Sequence, residues 1–327
     1  MFGKWSLFAL LAGAVIDIAV GDPHSIPHPV MLMGKLISAL EKLLRKAFPK
    51  TERGEKAAGG VLWTMVAAAA FAVPAVILFL LYKVTPWLGF AAESVMCWQC
   101  LAARSLRDES MKVKYALDTG DIEASRRAVS MIVGRDTASL DEKAVARAAV
   151  ETVAENASDG VIAPLMFLAI GGGPLGMLYK AVNTMDSMLG YVEPPYKHFG
   201  FFPAKLDDLF NFIPARLSAV IMLSGGALLG FDAKNGLRIF RRDRYKHASP
   251  NSAQTESVMA GLLGLRLAGD AYYHGALHKK EFIGDPVREI ENTDITRANR
   301  IMFAAAGLSL IVFAGLRLII LVLTHAL

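Results

Sequence analysis

Cysteine is nearly missing from this sequence. Cys97 and Cys100 are the only two, in the run CWQC. That excludes a disulfide framework, and the lack of a second pair or a βαβ context weakens redox and zinc readings. Two buried thiols at helical spacing suit the apolar run better. Charge is scarce too: 20% of residues are charged against 54% hydrophobic, with mean hydropathy +0.39. An ordinary soluble enzyme is excluded by that balance. Walker loops, dinucleotide fingerprints, Gly-x-Ser-x-Gly elbows and zinc signatures are absent. Internal repeats and low-complexity tails are absent as well, and alternating β-branched strand patterns are scarce. The net charge of +5 raises the question of nucleic acid. With no aromatic stacking platform or recognition-helix pattern, no nucleic-acid partner is expected.

Long apolar runs fill the chain instead. Residues 5–20, 57–82 and 301–323 meet the requirement of about 20 mainly apolar residues for crossing a bilayer. Gly and Pro interrupt 161–179 and 213–231 or their flanks, and 87–103 is a weaker candidate. The first run differs from a signal peptide because Asp17 breaks its apolar stretch, so it is expected to stay as a helix. The polar blocks 21–56, 104–160 and 232–300 lie between the runs and also read as helical. Lys and Arg cluster at 35–56, 104–147 and 234–246, which places these loops in the cytoplasm. The expected fold is all-α: a polytopic integral membrane helical bundle with helical cytoplasmic loops and broken or re-entrant segments. One membrane-embedded domain over 1–327 is expected, multi-pass in the cell membrane and in contact with the lipid bilayer.

Residues 139–164 carry the most information. Ser139 and Glu142 have the spacing of a capping box. Lys143, Arg147, Glu151, Glu155 and Asp159 then recur every four residues. Each step turns about 40° around a helix, so Glu151 and Glu155 are near neighbours. The ladder ends at Asn156, Asp159 and an apolar run, so carboxylates enter a hydrophobic segment. A solvated, ion-paired helix flank explains the spacing equally well.

Four further constellations could carry chemistry. The loop GDPHSIPHPVMLMGK after the first run holds Asp22 and His28 among three prolines, as a stiff ligand-binding loop or a plain helix terminator. His24 and His28 would share a metal only on a helix, which Pro27 opposes. In YKAVNTMDSMLGY, Asn183 and Asp186 share a helical face. In KLDDLFNFIPAR, Asp207 and Asp208 lie a turn before Asn211. Ionisable groups against membrane segments usually face a polar cavity, and such oxygen donors suit Mg²⁺ with a substrate phosphate. Finally, Arg244, Lys246, Ser249 and Asn251 precede Glu256 and an apolar helix. That arrangement fits a phosphate site or anionic lipid headgroups.

Taken in order, these blocks resemble the adenosylcobinamide-phosphate synthase family of cobalamin biosynthesis. The matching pieces are DIAVGDP at 17–23, HPV at 28–30, GDIEASRRAVSMIVGRDT at 120–137 and RAAVETVAENASDGVIAPL at 147–165. YKAVNTMDSMLGY at 179–191, DDLFNFIPARL at 207–217 and SPNSAQTESVMAGLLG at 249–264 complete the set, about two-thirds of the chain. The resemblance implies a membrane-bound ligase that joins adenosylcobyric acid to aminopropanol phosphate or ethanolamine phosphate. ATP would be co-substrate and Mg²⁺ its metal, with the site open to the cytoplasm. Other membrane enzymes of the nucleotide-loop pathway are implied as neighbours.

Within that chemistry Glu155 or Glu151 is expected as general base, with Asp159 beside them. Arg135, Arg216, Arg244 and Lys246 are expected on phosphate. Asp22, His28, Asp136, Asn156, Ser249, Asn251 and Glu256 complete the expected substrate contacts. Asn183, Asp186, Asp207, Asp208 and Asn211 are the expected metal donors. A membrane prenyltransferase would also use Mg²⁺ between Asp-bearing helices, and prenyl-diphosphate turnover would reveal it. A non-catalytic corrinoid-binding assembly subunit would bind corrinoid without making product. Uptake into proteoliposomes would reveal a transporter.

Overall fold

A computed structural model describes residues 3–23, 25–191, 193–273 and 275–324. His24 lies outside the described residues. The chain is overwhelmingly helical: α1 (Gly3–Val20), α2 (Pro29–Ala47), α3 (Glu52–Val84), α4 (Pro86–Cys100), α5 (Ala103–Asp118), α6 (Ile122–Ser130) and α7 (Glu142–Ala157). A π-helical turn at Ser158–Ile162 leads to α8 (Ala163–Leu189), α9 (Phe201–Phe210), α10 (Phe212–Leu228), α11 (Ala233–Asp243), α12 (Ser252–Leu263) and α13 (Thr293–Leu323). Among the described residues, four stretches are long and apolar enough to cross a membrane: Gly3–Val20, Glu52–Val84, Glu142–Leu189 and Thr293–Leu323. Phe201–Phe210 with Phe212–Leu228 makes a fifth if taken as one broken span. The 87–103 run becomes α4, whose 15 residues fall short of the span length of about 20.

Two local expectations are corrected. The helix carrying the charged ladder is capped by Asp141, whose carboxylate accepts from the Ala144 N–H at 2.7 Å. The Ser139 box does not form, because Asp141 already serves the first-turn donors and adds a negative charge at the positive helix end. The 232–300 block is also not wholly helical. It contains β1 (Leu267–Ala268), β2 (Ala271–Tyr273), β3 (Ala276–His278) and β4 (Phe282–Ile283). β1 pairs antiparallel with β4 and β2 with β3. Strands of two or three residues are too short to show an alternating pattern.

The chain forms two compact units, each assembled from separate stretches: 1–101, 164–211 and 310–327 in the first, 102–163 and 212–309 in the second. In the first, Ile37, Leu40 and Leu44 of α2 pack with Leu62 and Val66 of α3 and with Val182, Met185 and Leu189 of α8. Helices α1 and α4 approach closely, since a Cβ on Gly13 would stand 2.5 Å from Cys97 Cβ. Small residues at such crossings are a common device for packing apolar helices in lipid.

Helix α8 is broken at Gly172, which has φ +68° and ψ −161°. Glu93 accepts the Gly173 N–H at 3.1 Å, the Ser6 hydroxyl at 2.7 Å and the Tyr82 hydroxyl at 2.7 Å. On the other side of the break, Arg317 donates to the Ile170 carbonyl at 3.2 Å. A carboxylate thus meets the start of one half-helix and a guanidinium the end of the other, the favourable signs for the helix dipole. The run 161–179, interrupted by Gly and Pro, is therefore broken, and the Gly173 N–H and the Ile170 carbonyl each gain a side-chain partner.

In the second unit, every residue of α12 is buried. Its crossing with α11 depends on glycine: a Cβ on Gly261 would lie 2.7 Å from the Gly236 Cα. Gly264 closes α12 in the left-handed region at φ +66°, and the Leu265 N–H returns to the Ala260 carbonyl at 2.9 Å. This Schellman-type turn leads the chain into β1.

Candidate active site

Helix α7 carries its charged ladder from solvent into a cleft of the second unit. Lys143 lies at the solvated end, exposed and paired with Glu289 at 2.9 Å. Glu151, two turns on, and Glu155, three turns on, line a cavity of about 210 Å³ together with Arg135, Asn156, His247, Glu256, Tyr273 and Lys280. The two glutamates have different surroundings. Glu151 Oε2 accepts from the Arg135 guanidinium at 2.6 Å, and Oε1 accepts the Ala268 N–H at 2.7 Å. Both oxygens are committed, so Glu151 ties the loop before α7 and strand β1 to the cleft. Glu155 Oε1 accepts from the Ser252 hydroxyl at 2.8 Å, and its other oxygen has no hydrogen-bond partner among the described residues. Of the two candidates for base, Glu155 has an oxygen free to take a proton.

Glu256 follows one turn after Ser252 on α12. It is 5% exposed, and its Oε2 lacks a hydrogen-bond partner among the described residues. Burial first, and then the Glu155 and Glu151 carboxylates, push its pKa well above the ordinary carboxylate value. His247 accepts the Ser249 N–H on Nδ1 at 3.0 Å. Burial lowers its pKa, with Glu155 opposing the shift. A neutral ring that accepts on Nδ1 carries its proton on Nε2, which makes it a donor. Lys280, between β3 and β4, donates to the Tyr273 hydroxyl at 2.8 Å. Negative, acidic and cationic groups therefore share one small cavity.

Ser252, His247, Tyr273 and Lys280 were not expected from the sequence. Lys280 and Tyr273 arrive on a β excursion with no sequence signal. His247 could have been found, because it stands inside the basic run before Ser249.

Most of the other expected site residues in this unit do not line this cavity. Asp159 lies on the π-turn and does not line the cavity. Asp136 accepts the Gly275 N–H at 2.7 Å and so holds the β2–β3 hairpin. Ser249 accepts the Asn251 N–H, and Asn251 at the start of α12 accepts from Arg216 at 3.3 Å. Arg216 stacks on Phe212, and Arg244 lies over Tyr245. Lys246 pairs with Asp243 at 3.0 Å. Asn156 does line the cavity, with its amide donating to the Thr152 carbonyl.

The remaining expected residues belong to the first unit. His28 caps α2 by accepting the Val30 N–H on Nδ1, and its Nε2 is 3.8 Å from Asp22. Asn183 and Asp186 are half-buried on α8. Asn211 is bound at both ends, accepting from the Tyr179 hydroxyl at 2.8 Å and donating to Asp207 at 3.0 Å. Asp208 is 3.4 Å from Lys205. Among the described residues no group of three or more His, Cys, Asp or Glu converges as a metal cage. The donors suit Mg²⁺ only in the mode where the ion keeps its waters and relies on phosphate oxygens with one or two carboxylates.

Comparison with known proteins gives the family of the chain. The CobD/Cbib protein family matches residues 10–302. The cobalamin biosynthesis protein CobD of Clostridium perfringens (strain 13 / Type A) is 46% identical over 314 residues, 96% of this chain and 99% of the relative. CobD of Klebsiella pneumoniae is 43% identical over 312 residues, 95% of this chain and 98% of the relative. The cobalamin biosynthesis protein CbiB of Salmonella choleraesuis is 43% identical over 306 residues, 93% of this chain and 95% of the relative. No solved structure matches. On a family match and relatives that both span nearly its whole length, the chain belongs to the CobD/Cbib protein family.

Proposed function

We propose that the chain acts in cobalamin biosynthesis as an amide-forming ligase. It joins a propionate carboxylate of adenosylcobyric acid to the amine of aminopropanol phosphate or ethanolamine phosphate, with ATP consumed. The proposed setting is the cell membrane, with the site open to the cytoplasm. The observation that carries the reading is the pairing of Glu155, with one uncommitted oxygen, with cationic and neutral donors in one cavity. The names of the relatives support the pathway.

A carboxylate resists an amine because oxide is a poor leaving group. Transfer of the ATP γ-phosphoryl group to the carboxylate makes an acyl phosphate and ADP. Glu155 takes a proton from the substrate ammonium, and the freed amine attacks the acyl carbon. Inorganic phosphate leaves, and a second N–H proton is released to solvent. Overall, carboxylate, ammonium and ATP become amide, ADP, phosphate and a proton. Arg135 holds Glu151, and Glu151 in turn anchors β1, so this pair positions the cavity. Asp186 and Asp207 are the carboxylates that would hold Mg²⁺ beside the nucleotide phosphates. When bound, the ion supplies neutralisation of phosphate charge.

The test is purified full-length protein with adenosylcobyric acid, ATP, Mg²⁺ and each amine, read by product mass. An ATP-dependent product heavier by the amine less one water is expected. Unchanged corrinoid, with active relatives run in parallel, would overturn the reading.

A further inference from the structure

The cavity divides its chemistry between its elements. Helices α7 and α12 contribute Glu155 and Glu256, each with an oxygen that has no hydrogen-bond partner among the described residues. The loop before α12 and the β3–β4 connection contribute His247, a donor on Nε2, and Lys280. Arg135 also lines the cavity, but Glu151 takes its charge at 2.6 Å. Among the described residues no carboxylate pairs with the Lys280 ammonium, whose nearest partner is a neutral phenol.

Size narrows the occupant. A volume of about 210 Å³ lies below the roughly 300–1,000 Å³ of pockets that take drug-sized molecules. A nucleoside triphosphate is already drug-sized, and a corrinoid is larger. A small molecule carrying an ammonium at one end and an anion at the other matches both the volume and the division of charge. Glu256 gives an independent sign that something belongs here. A buried acceptor without a partner costs free energy until a donor arrives, and Glu256 is one of the residues that line this cavity.

We propose that this cavity is the seat of a small phosphorylated primary amine, its ammonium on Glu155 and Glu256 and its phosphate on Lys280 and His247 Nε2–H. The inference rests on the amide-forming reading for the choice of amine, and it assigns that one substrate, apart from nucleotide and corrinoid, to the second unit. It also explains the two glutamates. Glu155 is placed to hold the ammonium first and take its proton afterwards, while Glu256 supplies a second acceptor that fixes the nitrogen.

The test is calorimetric titration of full-length protein in detergent with O-phosphoethanolamine, without ATP or corrinoid. Saturable one-to-one binding is expected, with ethanolamine and inorganic phosphate each at least ten-fold weaker. Lys280→Met and Glu155→Gln should each weaken binding ten-fold or more, and Lys280→Arg should restore most of it. Lys279→Met, an exposed neighbour outside the cavity, should bind like wild type. His247→Gln gives a second route to the phosphate end should Lys280→Met unfold. No saturable binding at millimolar ligand, or equal affinity in wild type, Lys280→Met and His247→Gln, would overturn the proposal. The two readings fail differently. Binding that needs Lys280 without any amide product would sink the ligase and leave the site. Product formed with an unchanged KM for the amine in Lys280→Met would sink the site and leave the ligase.

Discussion

At the scale of single residues, the α7 ladder separates by surroundings rather than by chemistry. Among the described residues Glu155 keeps an oxygen without a partner, Glu151 has no such oxygen, and Lys143 stands in solvent. Glu155→Gln is therefore expected to cut turnover about 100-fold or more, the usual contribution of a general base, with little change in thermal stability. Glu151→Gln should lower stability as well, because it loosens both Arg135 and the Ala268 N–H. Lys143→Ala should leave both measurements unchanged; an effect equal to that of Glu155→Gln would make the ladder an ordinary solvated flank. Glu256 permits a different test. Its folded pKa lies above its unfolded value, so above the ordinary carboxylate range the unfolded chain releases a proton that the folded chain retains. Stability must then fall as pH rises through that window, and it is fully present below it. Glu256→Gln removes this dependence. Melting curves should show the variant gaining on wild type between pH 5 and 8 and losing that gain toward pH 4, where both forms are neutral. A constant offset across that range would show that burial does not hold Glu256 in its acid form.

At the scale of elements, what the sequence made legible is what repeats locally. The ladder was visible because its partners lie four residues apart, and the spans because about 20 apolar residues in a row have few other uses. The break in α8 was visible from Gly171, Gly172, Gly173 and Pro174. The groups that satisfy it were not: Glu93 reaches Gly173 from 80 residues away and Arg317 reaches Ile170 from 147. The same holds for the cavity. Ser252 meets Glu155 across 97 residues, and Lys280 arrives through pairings of two and three residues that carry no periodic signal. Gly172 tests the break directly. At φ +68° an added Cβ is strained, and it would also collide with Glu93 Oε1. Gly172→Ala should destabilise by more than about 1 kcal/mol, read as a lower melting temperature in detergent. Gly134→Ala, with open space around its Cβ position, should not. Equal melting temperatures for the two would mean that α8 tolerates a regular turn at 172.

At the scale of the whole molecule, the question is which side of the membrane the polar segments face. Hydropathy identifies the spans among the described residues but carries no direction. The expected direction comes from the Lys and Arg clusters at 35–56, 104–147 and 234–246, which the positive-inside tendency would hold in the cytoplasm. The segment 179–212 contains the Asp186 and Asp207 motifs and is flanked by apolar runs, so simple counting of continuous spans would turn it away from the cytoplasm, where the proposed ATP would bind. The interruption at Gly172 changes that count, because a chain that breaks and satisfies its backbone at membrane depth is free to return to the side it came from. Residues 179–212 are therefore expected to be reached from the cytoplasm. Ser187 and Lys205 are both exposed, and each replaced singly by cysteine gives a label site in a background lacking the buried Cys97 and Cys100. Both should react with a membrane-impermeant maleimide in inverted vesicles and resist it in right-side-out ones. Labelling confined to the opposite face would place the Asp motifs away from ATP and overturn their assignment to the nucleotide's metal.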